Sequence, residues 1–156
     1  MTVLEVGAEA PDFELRDQHG RCVRLSSYRG HKGVVLVFYP SAFSPVCSSE
    51  LSTLRTSWPA LDRPDVELVT VSCDPMFTLR AFSDQEKIEF AMLSDFWPHG
   101  AVSAAYGVFD EDFGCSKRST FVIDADGRVS WLVHSAMPDP RRVDDYREAL
   151  ATLRTG

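Results

Sequence analysis

The run Gly33-Val34-Val35-Leu36-Val37-Phe38-Tyr39 is uncharged, β-branched and aromatic, with no polar alternation. That pattern predicts a strand buried on both faces of a sheet. Behind it comes Pro40-Ser41-Ala42-Phe43-Ser44-Pro45-Val46-Cys47, after which Leu51, Leu54 and Trp58 recur at the spacing of an amphipathic helix. A cysteine therefore stands at a strand-to-helix junction, in or near the first turn of the helix. Unpaired amide N–H groups and the positive end of the helix dipole meet there, and both favour a thiolate over a thiol.

The remaining pattern fills in an alternating order of elements. Strands are predicted over Asp12–Leu15 and Cys22–Leu25, joined by the turn Asp17-Gln18-His19-Gly20, and Ser26-Ser27-Tyr28-Arg29-Gly30 reads as a short helical turn ending at a glycine. Val66–Ser72 is a second apolar strand, followed by a helical pattern over Pro75–Glu86 through Phe77, Leu79 and Phe82. Ala101–Tyr106 suggests another helix. Phe121–Asp124 and Val129–Val133 flank Ala125-Asp126-Gly127, a hairpin signal. Asp144–Leu153 closes the chain as a helix carrying Tyr146, Ala149, Leu150 and Leu153, and Met137-Pro138-Asp139-Pro140 is the loop that positions it. The order is α/β with a central mixed sheet flanked by helices. There is no internal repeat or low-complexity tract, so residues 1–156 are expected to form a single domain.

Composition narrows the partners. Sixteen basic residues against 23 acidic ones give a net charge of −7, which argues against nucleic acid and against an anionic membrane surface. No apolar stretch approaches the length of a transmembrane helix, and the N-terminus lacks a basic segment followed by an apolar core. A cytoplasmic protein is the expectation. Cys22, Cys47, Cys73 and Cys115 are widely separated, with no Cys-x-x-Cys pair. That speaks against a thioredoxin-type disulfide reductase, which needs a nearby second thiol. The four histidines are not spaced for a zinc site with these cysteines, and Asp124-Ala125-Asp126-Gly127 is much too short for a calcium loop. Neither a metal nor a cofactor is expected.

The junction segment resembles the peroxiredoxin signature, in which a Pro, three residues, Thr or Ser and two residues precede the reactive Cys; Pro40, Ser44 and Cys47 match it. Gly7-Ala8-Glu9-Ala10-Pro11-Asp12-Phe13-Glu14-Leu15 is similar to the family's opening strand, and Arg118, one residue before a predicted strand, to its active-site arginine. Ser94-Asp95-Phe96-Trp97-Pro98-His99-Gly100 with Ala105-Tyr106-Gly107-Val108-Phe109 resembles the AhpE-type branch. The resemblance implies a thioredoxin-like fold and a thiol peroxidase acting on hydrogen peroxide and organic hydroperoxides. It also implies a homodimer, with Phe43, Phe96 and Trp97 as interface aromatics.

Peroxide reduction requires an ionised sulfur, two oxygens held in line with it, and stabilisation of charge on the leaving oxygen. In the family fold Cys47 is the nucleophile, Arg118 lies beside it as a permanent cation and donor, and Ser44 orients the peroxide. Pro40, which lacks an N–H, shields the sulfur from bulk water. Plainer roles stand beside these. Cys47 is by type a small buried hydrophobe, Ser44 a helix cap assisted by Glu50, Arg118 a solvated charge and Pro40 a strand end. Glu50 fits equally an orienting partner for an arginine and a charge on an exposed helix face. Phe96 and Trp97 could gate the pocket or form a dimer face, but ordinary core is the favoured reading. His99 is expected near a helix start, and nothing marks it as a base.

The oxidised sulfur must be returned to a thiol by another thiol. Five residues after Cys47 stands Ser52, and no cysteine follows Cys115. Cys115, expected in the loop before Arg118, is the one worth testing as a resolving thiol, ahead of Cys73 and Cys22. A one-cysteine cycle completed by an external thiol is the preferred reading: mycothiol with mycoredoxin by the AhpE resemblance, or thioredoxin or a glutaredoxin-like protein. The alternative to an enzyme is a peroxide-sensing regulator that signals through Cys47 oxidation.

Overall fold

The computed structural model describes residues 4–135 and 141–153; the predicted loop Met137-Pro138-Asp139-Pro140 lies outside them. A first hairpin pairs β1 (Glu14–Arg16) with β2 (Cys22–Arg24), and a 3-10 turn over Leu25–Tyr28 leads to β3 (Gly33–Phe38). Then come α1 (Pro45–Leu61), β4 (Val66–Ser72), α2 (Met76–Glu86), β5 (Ala91–Ser94) and α3 (Ala101–Ala105). The short strands β6 (Phe109–Asp110) and β7 (Cys115–Ser116) form a ribbon of their own, before β8 (Ser119–Ile123), β9 (Val129–His134) and α4 (Val143–Ala151).

Seven strands form one sheet in the order β2-β1-β5-β4-β3-β8-β9. The pairs β3/β4 and β4/β5 are parallel, whereas β8 runs antiparallel to both β3 and β9, so the sheet is mixed as expected. All six residues of β3 are buried. Val34, Leu36 and Phe38 enter the cluster holding Phe13, Leu25 and Tyr106 on one face. Val35 and Val37 pack on the other against Leu54 of α1 and Tyr146 and Leu150 of α4. Cover on both faces explains why this strand reads as an unbroken apolar run. Each fully buried aliphatic side chain contributes about 1.5–3 kcal/mol. The hairpin read from Asp-Gly is present: Gly127 takes φ +82°, and Asp124 Oδ1 accepts the amides of Asp126 and Arg128 at 3.0 Å each.

Three features differ from the pattern-based expectation. Ala91–Ser94 is a strand that its four residues do not announce; parallel pairing with Val69–Ser72 of β4 supplies what local propensity lacks. Cys115 lies in the β6/β7 ribbon rather than a loop. Phe96 and Trp97 are not core, being 45% and 81% exposed. The chain turns back sharply there, with the Gly100 amide donating to the Asp95 carbonyl at 2.9 Å. The turn buries the Asp95 side chain and sends the aromatics outward.

Candidate active site

The β3 ladder ends where the Tyr39 amide donates to the Val71 carbonyl at 3.1 Å; the next residue, half-buried Pro40, has no N–H to continue it. From there the chain turns into α1. Phe43 adopts a left-handed backbone (φ +68°), a conformation costing about 1–3 kcal/mol in a bulky residue and characteristic of functional loops. Its ring packs edge-on against Phe82 of α2, centroids 5.1 Å apart. Ser44 is the N-cap residue and Pro45 opens the helix, where a missing N–H costs nothing. The Ser44 carbonyl accepts the Ser48 amide at 2.8 Å, but its hydroxyl donates to the Ser41 carbonyl at 3.0 Å and caps no helix amide.

Cys47 is the third residue of α1, buried beside Tyr39, Ala42 and Leu51. Facing it is Arg118. Strand β8 begins at Ser119, opposite Phe38 at the end of β3, so the residue before it is delivered to the N-terminus of α1. Arg118 Nη2 donates to Cys47 Sγ at 3.4 Å, and Nη1 to Glu50 Oε1 at 2.7 Å. A guanidinium N–H directed at sulfur stabilises negative charge there, as do the first amides of the helix.

Glu50 settles on the orienting role, not the exposed face: its side chain is 2% exposed and bridges two arginines. Arg141 Nη2 donates to Oε1 at 2.6 Å and Nε to Oε2 at 3.0 Å, and the Arg141 amide also bonds Oε2. Arg141 Nη1 is shared among the carbonyls of Phe38 and Ser119, both at 2.8 Å, and Thr120 Oγ1 at 3.0 Å. Burial pushes the Glu50 carboxyl up, but the hydrogen bonds and charge of Arg141, with the charge of Arg118, outweigh it and hold the group below its ordinary value. Arg141 carries no signal in the sequence. Beside Arg142, after an Asp-Pro step, nothing in the sequence separates it from a surface charge.

The other thiols are differently placed, and all four are free. Cys22 is exposed on β2. Cys73 is buried just past β4, 3.6 Å from Ser116 Oγ, and burial raises its pKa. Cys115 is half-buried; burial, reinforced by the charge of Asp110, pushes it up to about 11.

The mixed sheet flanked by helices is the fold of the peroxiredoxins, on whose solved structures it superposes. Residues 6–132 match the AhpC/TSA family, and the chain belongs to it, as a thiol-dependent peroxidase of the AhpE type. It is 46% identical over 154 residues to alkyl hydroperoxide reductase E of Mycobacterium tuberculosis, covering 97% of this chain and 99% of that one. Peroxiredoxin Bcp of Bacillus subtilis is 32% identical over 160 residues, covering 97% and 96%. Among solved structures, peroxidoxin BcpB of Mycobacterium tuberculosis superposes with a TM-score of 0.81 at 32% identity, covering 96% of each chain. AhpC of Enterococcus faecalis gives 0.85 at 26% identity, covering 96% of this chain and 93% of that one.

Proposed function

We propose that Cys47 is the peroxidatic residue, with Arg118, Ser44 and Pro40 as its partners. The thiolate sulfur attacks one oxygen of the hydroperoxide, the O–O bond breaks, and water or an alcohol leaves after taking up a proton. Cys47 becomes a sulfenic acid, oxidised by two electrons. Arg118 stabilises the sulfur anion and then the charge developing on the oxygens, and Pro40 shapes the dry side of the pocket. Ser44 keeps its hydroxyl within the loop until a peroxide oxygen offers a better acceptor. The observation that carries this reading is the 3.4 Å contact from Arg118 Nη2 to Sγ at the start of a helix. C47S and C47A variants, assayed for peroxide consumption with excess thiol, test it: both should lose all turnover, and retained activity would refute the assignment.

Hydrogen peroxide and organic hydroperoxides are the proposed substrates. Phe43, exposed at the mouth of the loop, and Val46 give an alkyl group an apolar surface. Reduction falls to an external thiol, whether mycothiol with mycoredoxin, thioredoxin or a glutaredoxin-like protein. Exchange needs an attacking thiolate, and Cys115 at about 11 and buried Cys73 supply little of it near neutral pH. Cys22 lies on the outer hairpin, at the opposite edge of the sheet from β8 and β9. A cytoplasmic location suits four free thiols; among the described residues no helix is long and apolar enough to cross a membrane. A homodimer is the proposed assembly, with the exposed aromatics Trp97, Phe96 and Phe43 at its interface.

A further inference from the structure

We propose that Asp74 is a positioning residue for the reaction at Cys47, an inference that rests on Cys47 being the peroxidatic residue. Strands β3 and β4 are parallel and pair Phe38 with Val71, so their C-terminal ends leave the sheet side by side. Pro40-Ser41-Ala42 and Ser72-Cys73-Asp74 therefore run next to each other. Asp74 Oδ2 accepts the Ala42 amide at 2.8 Å and the Ser72 hydroxyl at 2.7 Å, while the Asp74 carbonyl accepts the Ser94 hydroxyl at 2.6 Å. The carboxylate is thus anchored to the end of β4 and the Asp74 backbone to the end of β5, and the carboxylate acts on the loop that carries the cysteine.

Within that loop the remaining bonds are internal: Ser44 Oγ to the Ser41 carbonyl, and Ser41 Oγ to the Ala42 carbonyl. Among the described residues, the bond to Asp74 is the only hydrogen bond tying residues 40–43 to another part of the molecule. It holds the amide directly before Phe43, whose left-handed backbone is unfavourable unless its neighbours fix it. Phe43 in turn sets the direction of Ser44 and of the first turn of α1. Asp74 thereby aims the groups that must meet both peroxide oxygens, without touching the sulfur itself.

The test compares two reactions of Cys47 in D74A, D74N and wild-type protein. Oxidation by hydrogen peroxide needs the whole pocket in register, whereas alkylation by iodoacetamide needs only the sulfur. Misplacement of reacting groups by about 1 Å costs up to ~100-fold, so D74A should oxidise at least ~10-fold more slowly, with alkylation unchanged or faster. D74N keeps an oxygen for the Ala42 amide, and should oxidise within about threefold of wild type on the same reasoning. Unchanged oxidation in D74A, or an equal loss of both reactions that Asn does not rescue, would overturn the proposal. Should D74A fail to fold, S72A decides: a lowered ratio of peroxide to iodoacetamide rates supports the positioning role, and an unchanged ratio refutes it. Peptide mapping of the oxidised wild type keeps the premise separate. Oxidation at another residue would sink the Cys47 assignment, whereas wild-type oxidation at Cys47 with an indifferent D74A sinks only this inference.

Discussion

Glu50 holds one carboxylate against two buried guanidinium groups, and replacing it takes their shared counter-charge away. Breaking such a pair costs about 3–5 kcal/mol, so E50A should lower the urea midpoint strongly, and E50Q somewhat less. The same geometry fixes a pH dependence. Its folded pKa lies below the ordinary value of 4.5, so the unfolded chain takes up the proton first. The stabilisation is complete above that value and is lost as pH falls through the folded pKa. Urea denaturation of wild type and E50Q between about pH 3 and 7 should therefore show the stability gap closing toward acid. A gap independent of pH would mean the carboxylate is not held by its arginines. The comparison isolates Glu50 from Asp95, which burial shifts in the opposite direction. R118K tests the other side of the cluster. Lysine keeps the charge but cannot fork between Glu50 and the sulfur, so Cys47 oxidation should slow by about 10–100-fold while the fold persists.

At the scale of elements, the site exists because three chain segments end at one place: β3, the head of α1, and the approach to β8. Leu51, one turn beyond Cys47 and fully buried, anchors that helix head against Leu79 and Phe82 of α2. L51A should cost about 2–5 kcal/mol, read as a lowered urea midpoint, and slow oxidation at Cys47 by loosening α1. The segments with the strongest patterns were legible beforehand. Val66–Ser72 was read at its observed bounds, and β3 to within one residue, because burial on both faces leaves an unbroken apolar run. Cys47 in the first turn followed from the change of period after it. β5 was not legible, since four residues carry no period and its partner strand decides its state. Arg141 and Asp74 were not legible for a different reason. Each acts through a contact distant in sequence, 91 residues to Glu50 and 32 to Ala42, and local pattern carries no trace of such a pairing.

For the whole molecule, the exposed aromatics and the four free thiols set the questions of assembly and turnover. Trp97 at 81% exposure is an unusual surface residue for a lone chain. Sedimentation should show a dimer whose dissociation constant rises at least ~10-fold in W97E, since central aromatics carry ≥ ~2 kcal/mol at interfaces; a concentration-independent monomer would remove the proposed assembly. The peroxidatic role of Cys47 is tested most directly by intact-mass spectrometry of reduced protein after one equivalent of hydrogen peroxide, with a sulfenic-acid trap and peptide mapping. A single trapped adduct should form on Cys47, with Cys22, Cys73 and Cys115 still thiols. An unmodified Cys47 under conditions that oxidise the other cysteines would contradict that role.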